Sequence, residues 1–292
     1  KLEGLEFHFI AQDKQLDAIL SGKVDLLTNL SGTQTLAVME NPETTVIKKA
    51  SFYTATSSFN LSSGPLSNID VRKAFNYALD KEKLIRYDLF GNGKTLSTFS
   101  MEGETGHNNS LKPYEYDVKK AKKFLAKAGY PDGFSFKVLV KFNAIRTAKI
   151  IASEFKKIGV NLALLIVSDA DMMKELASKN YDMAIGSNPD PMSHVYITQA
   201  IVLYSKSPYC LGEDPKFDLL LDQMVATLDP EEGEKKAENL DAYVYDNAMS
   251  LFMYQHIKLY GANKKLRFIP YISGMPYFYG AYFYKKTNKK TT

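Results

Sequence analysis

The middle of the chain alternates between helical and extended patterns, and no other feature of the sequence constrains the fold as strongly. Three helix-like and three strand-like segments follow one another at 117–128, 134–140, 145–158, 160–167, 170–178 and 181–185. Strands that alternate with helices are typical of domains in which helices pack against a sheet. The pattern therefore predicts an α/β fold.

Local sequence patterns predict the first residues of two helices. Asp117 precedes a helical stripe of apolar residues, and Gly129 ends that stripe. Asp229 is followed by Pro at the first helical position and by Glu232 at the third, where its side chain can reach back to the cap. An aspartate before such a stripe is a favoured N-cap, and a glycine after it favours helix termination. Both aspartates are predicted to cap helices.

Less regular segments give further expectations. Residues 5–10, 44–48, 57–61 and 277–284 have the composition of separate strands. Residues 91–113 have no periodicity, and we expect them to form an extended excursion over the surface.

Composition excludes several classes of protein. The chain has 292 residues, of which 45% are apolar and 24% charged, as in a globular protein with a sizeable core. The net charge is +4, and basic and acidic residues are interleaved along the chain. Apolar residues interrupt the basic run 119–127. We interpret that run as a solvated helix face and expect no nucleic-acid partner. The single cysteine, Cys210, allows no internal disulfide, and no apolar run reaches about 18 residues.

The candidate catalytic and metal motifs fail on residue type or spacing. Residues 91–95 (Gly-Asn-Gly-Lys-Thr) resemble a phosphate loop, but Asp88 stands where that loop needs its first glycine. The four histidines lie far apart, at His8, His107, His194 and His256. No Gly-x-Ser-x-Gly is present, and nothing around Cys210 marks an activated thiolate. We therefore expect no catalytic residue, no metal site and no cofactor. A peptide hydrolase would remain an alternative without a motif.

Short segments that are weak alone follow one another in a fixed order. They lie at 22–25, 70–80, 91–93, 114–117, 128–131, 157–160, 214–218 and 229–232. In this order they resemble the bacterial extracellular solute-binding proteins of family 5, which include the oligopeptide-, dipeptide- and nickel-binding receptors of ABC importers. Residues 70–80 carry the family's helix pattern Arg-x-Ala-x-x-x-Ala-x-Asp. The resemblance extends over almost the whole chain.

The resemblance implies a periplasmic-binding-protein-like fold (type II, cluster C-like) of two mixed α/β lobes, hinged by crossover strands around an enclosed solute. Family members carry a long portion before the segment that matches Gly4, so the first lobe is expected to be incomplete. Residues 1–64 and 266–292 would then form a partial first lobe and 65–265 the second. The turn-rich stretch 62–68 marks the boundary.

The function that the resemblance implies is delivery of a small-molecule or peptide ligand to an ABC permease. The protein is expected in the periplasm or at the outer cell surface of a bacterium, as a monomer. It would meet the membrane only through the permease or a lipid anchor. The alternative is a ligand-sensing domain of a membrane signalling protein that uses the same fold.

The resemblance also implies ligand contacts in the loop 186–191. In peptide-binding members an Asp three positions before the loop's Asp-Pro receives the ligand's amino terminus, and Ser187 occupies that position here. Serine cannot neutralise a buried ammonium, whose burial without a partner costs several kcal/mol. Either the ligand lacks a free amine, or another acid such as Asp190 substitutes. We predict contacts from Ser187, Asn188 and Asp190, although Asp190 is equally suited to capping the helix that starts near Ser193.

Other candidates lie outside that loop. Asn143 and Arg146 stand at the turn into the helix 145–158, where Arg146 can hold a carboxylate in bidentate fashion. Tyr53, Phe59 and Asn60 lie on strands that approach the predicted hinge. A structural role is the alternative for each of these residues.

Overall fold

The computed structural model describes residues 2–284. The chain divides into two compact units, Lys1–Ser51 with Ile257–Thr292 and Phe52–His256. The fold is mixed α/β, as the alternation of patterns predicts. The lobe boundaries at 64 and 266 remain predictions.

The bounds of the regular elements are as follows. The helices are α1 (Gln15–Leu20), α2 (Thr35–Glu40), α3 (Ile69–Ala78), α4 (Lys81–Leu89), α5 (Val118–Lys127), α6 (Ile145–Lys156), α7 (Asp169–Ser178), α8 (Tyr196–Leu203), α9 (Pro215–Val225) and α10 (Pro230–Asp246). The strands are β1 (Leu26–Leu27), β2 (Thr44–Phe59), β3 (Gly93–Thr95), β4 (Ser135–Lys141), β5 (Asn161–Val167), β6 (Met183–Pro189), β7 (Tyr254–Asn263), β8 (Leu266–Arg267) and β9 (Tyr282–Phe283). None of the helices in the described part of the chain is both long and apolar enough to cross a bilayer.

The sheet of the Phe52–His256 unit contains the order β2-β6-β4-β5. β4 runs parallel to both β5 and β6, and β6 pairs antiparallel with the end of β2, from Tyr53↔Pro189 to Phe59↔Met183. Helices α6 and α7 make the connections between the parallel strands, as such crossovers require. This arrangement brings the carboxyl ends of β4, β5 and β6 to one edge.

Both faces of this sheet are covered, because its central strands are apolar on both sides. Val138 of β4 packs into a cluster with residues of α3 to α6, whereas the next residue, Leu139, packs into a second cluster that includes Met172 of α7. Phe75 lies at the centre of the first cluster, with its ring centroid 4.4 Å from that of Phe155 and 5.4 Å from that of Phe136. Successive strand side chains alternate between faces, which explains the division.

Polar side chains cap several of the helices at their amino ends. Asp80, Asp117 and Asp229 cap α4, α5 and α10 through their carboxylates. Helix α3, however, starts one residue before Asp70, and Asn68 caps it by accepting the Asp70 amide at 2.8 Å. The carboxylate of Glu232 does not reach back to its cap as predicted. It pairs with Lys236 one turn further on, at 2.8 Å.

Arg72, the arginine of the family pattern, has a structural role. Its guanidinium is buried and donates to the carbonyls of Leu66 and Ser67, both at 2.9 Å, and of Asn247 at 3.0 Å. Burial lowers its pKa to about 10, and Asp214 partly offsets this shift. Arg72 therefore joins α3 to the preceding turn and to the end of α10.

Several strand predictions were wrong. The two strands expected at 44–48 and 57–61 are parts of one continuous strand, β2, which spans Thr44–Phe59 and pairs with β6 from Tyr53 onwards. Residues 5–10 form no strand, since no other described strand pairs with them. Of 277–284, only Tyr282–Phe283 pairs, with β8.

The segment 91–113 is only partly a surface excursion. Leu96, Phe99 and Met101 are buried. The first part of the segment forms β3, which pairs antiparallel with β7. Its polar groups find distant partners: Ser100 donates to Asp241 at 2.6 Å, and Lys81 donates to the Leu96 carbonyl at 2.9 Å. Because these partners lie far away in sequence, no local pattern indicates the burial.

The smaller unit contains α1, α2 and short strand pairs. β1 pairs antiparallel with β7 through Leu26↔Ala262. The core of this unit is formed by Ile19, Leu27, Leu30, Val38 and Leu259.

Candidate functional site

A cavity of about 430 Å³ lies at the carboxyl edge of the three parallel strands. Asn143 follows β4, Asp169 follows β5, and Ser187 and Asn188 belong to the end of β6. Ligands of open α/β sheets bind in the crevice outside the carboxyl ends of the strands, because the loops there converge without blocking the site. This edge is therefore the candidate binding site in the Phe52–His256 unit.

One wall of the cavity is polar and uncharged. It contains the hydroxyl and amide side chains of Thr56, Ser58, Asn143, Ser187 and Asn188. The Asn188 amide donates to the hydroxyl of Thr56 at 3.2 Å, which fixes its orientation. Ser187 is exposed and also lines the cavity. The wall offers hydrogen bonds without a net charge.

The opposite wall is apolar and comes from α7, α8 and the segment after α8. Its residues are Met172, Met173, Leu176, Ile201, Val202 and Tyr209. Met173 and Ile201 are 56% and 41% exposed although they are apolar, so they present uncovered surface to the cavity. The Tyr209 hydroxyl lies 3.9 Å from the Met173 sulfur. Methionine side chains adapt their shape, and this wall can therefore accept apolar groups of varied outline.

The charged side chains that line the cavity are Lys141 and Asp169, which form a pair at 3.0 Å. The Asp169 side chain is 81% exposed. Such a solvated pair contributes about 0–1 kcal/mol to stability. Its two charges compensate each other, and the lining carries no net charge.

Asp190 lies next to the cavity but does not line it. The side chain is buried, and its two carboxylate oxygens accept the amides of Met192, Ser193 and His194 at 2.7–3.1 Å. Its own amide donates to the Phe52 carbonyl at 2.7 Å. Asp190 therefore holds the turn between β6 and α8 in place.

Arg146 belongs to a different depression. It lies with Lys83, Tyr87, Phe142 and Lys149 along an open groove of about 740 Å³ between α4 and α6. The guanidinium carbon lies 4.9 Å from the centroid of the Phe90 ring. Asn143 lines both this groove and the cavity. The structure thus separates Arg146 from the cavity to which Asn143 contributes.

The three candidates on β2 and just after it do not line the cavity. Phe59 is buried in the cluster around Phe75, because Ser58, one residue earlier, faces the cavity and the next side chain faces the opposite side. The Asn60 amide oxygen accepts the amides of Ser62 and Ser63 and closes a turn. The Tyr53 ring packs 4.9 Å from that of His256.

Of the eight predicted contacts, the structure brings Asn143, Ser187 and Asn188 together in one cavity. Sequence reasoning missed the whole apolar wall, including Met173 and Ile201. A signal was present, since α7 was predicted directly after β5, whose carboxyl end faces the site.

The sequence singled out the thiol and possible metal ligands as chemical groups to check. Cys210 is buried, and burial raises the pKa of its thiol. Among residues 2–284, no group of three His, Cys, Asp or Glu side chains is placed to hold a metal ion. The geometry supports reversible binding by shape, apolar contact and hydrogen bonds.

Sequence comparison gives matches to binding proteins. A family model described as "Bacterial extracellular solute-binding proteins, family 5 Middle" matches residues 1–204. "Heme-binding protein A" of Haemophilus influenzae is 26% identical over 78% of this chain. The "Dipeptide-binding protein" of Escherichia coli is 28% identical over 46% of it. The matches cover 44% and 27% of those two proteins, so the chain matches less than half of their length.

Structural comparison gives the same fold. The periplasmic binding protein DppA of Helicobacter pylori, solved with the peptide STSA, superposes with a TM-score of 0.78 at 22% identity. The match covers 94% of this chain and 55% of that one. A putative peptide binding protein AppA of Clostridium difficile gives a TM-score of 0.81 at 17% identity, over 91% and 57% of the two chains. The fold is therefore periplasmic-binding-protein-like, and the chain covers about half of each solved neighbour.

Proposed function

Because the chain belongs to the bacterial extracellular solute-binding proteins of family 5, we propose that it is part of a receptor that binds a small solute outside the cytoplasm and delivers it to an ABC importer. The observation that carries this proposal is the cavity at the carboxyl edge of β4, β5 and β6, with its polar wall facing an apolar wall. A solute receptor needs these features, whereas a catalyst needs reacting groups as well.

Binding at such a site depends on the exclusion of water. When the cavity is filled, hydrogen bonds from Ser187 and Asn188 no longer compete with solvent. A solute without matching groups leaves those polar atoms unsatisfied, at about 1–3 kcal/mol each. The apolar wall adds affinity in proportion to the area it covers. Selectivity thus arises without a chemical step, and we propose no enzymatic activity.

The remaining elements of the proposal rest on the family. We propose that the receptor acts as a monomer in the periplasm or at the outer cell surface, and that it contacts the membrane through the permease or a lipid anchor. We retain the division into lobes at 64 and 266 as part of this proposal. Asn143, Ser187 and Asn188 are the proposed ligand contacts.

The test is direct detection of cargo. Native mass spectrometry of the intact protein from its own cells is expected to show a co-purified small molecule. Adding that molecule at about 100 times its Kd should stabilise the fold by about 2.7 kcal/mol, visible as a rise in Tm.

A cavity-filling variant supplies the control. Ile201→Trp, which places an indole into the cavity, should remove the Tm rise. Leu219→Trp should retain it, because Leu219 is 56% exposed on α9 and does not line the cavity. The proposal fails if no cargo is detected and a screen of peptides, opines, metal chelates and sugars leaves Tm unchanged.

A further inference from the structure

The cavity has no carboxylate available for a cationic ligand. Among the described residues that line it, only Asp169 carries a carboxylate, and Lys141 holds that group at 3.0 Å near the solvent. A ligand ammonium would have to displace Lys141 to pair with Asp169. The exchange of one solvated ion pair for another yields little free energy.

Asp190 cannot substitute as the acid. Three backbone amides occupy its two oxygens, and the side chain is 1% exposed. If it turned towards the cavity, the amides of Met192, Ser193 and His194 would lose their acceptor. Losing these three hydrogen bonds would disfavour that rotation. Asp190 is therefore not available to accept hydrogen bonds from a ligand's amino group.

The residues of the two walls indicate which kind of ligand group the cavity can bind instead of a cation. Ser187 and Asn188 carry donors and acceptors without charge, and Met173 and Ile201, which line the same cavity, present exposed apolar surface. A ligand group with one polar and one apolar side satisfies both walls. A charged amine satisfies neither, because an ammonium that is buried without a partner carries a large desolvation penalty.

We propose that this cavity binds an uncharged, amphipathic group of the cargo and discriminates against a free ammonium. The inference rests on the proposed receptor function and narrows its substrate class. The apolar side of the group lies against α7 and α8. Its hydrogen-bonding side meets Ser187 and Asn188 at the end of β6.

The test uses N-phenyl-1-naphthylamine, an uncharged aromatic probe that fluoresces when it leaves water. The intact protein should bind it saturably, and Met173→Asp should weaken binding by at least about tenfold. Leu219→Asp is the matched control and should leave the affinity unchanged, because it adds the same charge to an exposed apolar residue outside the cavity. Equal melting temperatures would establish that both variants are folded.

Displacement of the probe by a matched pair of ligands tests the discrimination. Acetyl-Leu-Leu-amide should displace the probe at a concentration at least about tenfold lower than Leu-Leu-amide, whose amino terminus is charged. Tenfold corresponds to about 1.4 kcal/mol, well within the cost of an unpaired ammonium. Ser187→Asp adds a carboxylate to the cavity and should reverse this order.

Each other outcome overturns the inference. Equal or better displacement by the free amine in the wild type does so, as does probe binding that is absent or insensitive to Met173→Asp. The proposed receptor function is tested separately by the native cargo. A co-purified cationic cargo whose binding Ile201→Trp abolishes would leave the receptor intact and remove only this inference.

Discussion

Glu104 and Asp190 are two buried side chains whose carboxyl groups interact. Two neighbouring buried carboxylates repel each other when both are ionised, which favours a proton on one of them. The two oxygens of Asp190 already accept three backbone amides. Burial, reinforced by Asp190, raises the pKa of Glu104 to about 9. Glu104 is therefore the neutral donor at physiological pH, and it supports the turn beside the cavity.

This pair predicts that Glu104→Gln removes part of the pH dependence of stability. The folded protein keeps a proton that an unfolded Glu104 releases above its ordinary pKa of 4.5. The stability contributed by Glu104 is thus fully present below pH 4.5 and is lost as pH rises towards 9. A glutamine amide donates the same hydrogen bond at every pH. Urea unfolding should show the variant about 1–3 kcal/mol more stable than the wild type at pH 9.

Glu104→Ala is the control for this experiment. It also removes the titration, but it takes away the donor to Asp190 and should be less stable than Glu104→Gln at pH 5 and pH 9. If the free energies of unfolding of the wild type and Glu104→Gln change in parallel between pH 5 and 9, Glu104 is not protonated in the folded protein.

A close approach of two loops predicts a difference between two glycine substitutions. Gly129 and Gly133 both adopt positive φ, at 90° and 80°. A Cβ on Gly129 would meet nothing within 4 Å, whereas one on Gly133 would lie 2.1 Å from the Gly159 carbonyl oxygen. Both alanine variants bear the strain of the left-handed conformation, roughly 1–2 kcal/mol. Gly133→Ala should lose about 1–3 kcal/mol more, from the clash. Equal midpoints of urea unfolding would rule out this tight packing.

The sequence predicted the features whose causes lie within a few residues. Asp117 and Asp229 were expected to cap helices because each stands immediately before a helical pattern, and both do so. The α/β class followed from the same local periodicity. The resemblance of the loop to a family placed Ser187 and Asn188 among the expected ligand contacts; both line the cavity at that edge, and their contact with a ligand stays a prediction.

Other features depend on partners far away in the chain, and local patterns could not predict them. Ser100 looks like a surface residue until Asp241, more than a hundred residues later, accepts its hydroxyl. Phe59 looked like a ligand contact, but the phase of β2 relative to its neighbours places it in the core. Asp190 had two plausible roles in sequence, and only the three amides around it distinguish them.

The buried guanidinium of Arg72 predicts that even a conservative substitution is costly. Arg72→Lys keeps the charge, but a single ammonium cannot reach both the Leu66 carbonyl and the Asn247 carbonyl as the planar guanidinium does. We expect a loss of about 1.5–3 kcal/mol, the range for hydrogen bonds to charged groups. Lys122→Met, at an exposed position of α5, should stay within about 0.5 kcal/mol of the wild type. Urea unfolding of both variants tests this, and a wild-type midpoint for Arg72→Lys would disprove the role.

The single thiol of the chain provides a probe of opening. Cys210 is 3% exposed, its sulfur lies 3.1 Å from the Gly212 carbonyl oxygen, and burial raises the pKa of the thiol. Both its inaccessibility and its protonation suppress attack, because the thiolate is the reactive form. At pH 8, iodoacetamide should label native Cys210 at least about a hundredfold more slowly than the urea-unfolded protein, since labelling requires an opening reaction. In a Cys210→Ser background, Leu219→Cys places a thiol at an exposed position of α9 and should react at nearly the unfolded rate. Comparable native rates for Cys210 and the cysteine at 219 would mean that the segment between α8 and α9, next to the Tyr209 wall of the cavity, opens freely in the folded protein.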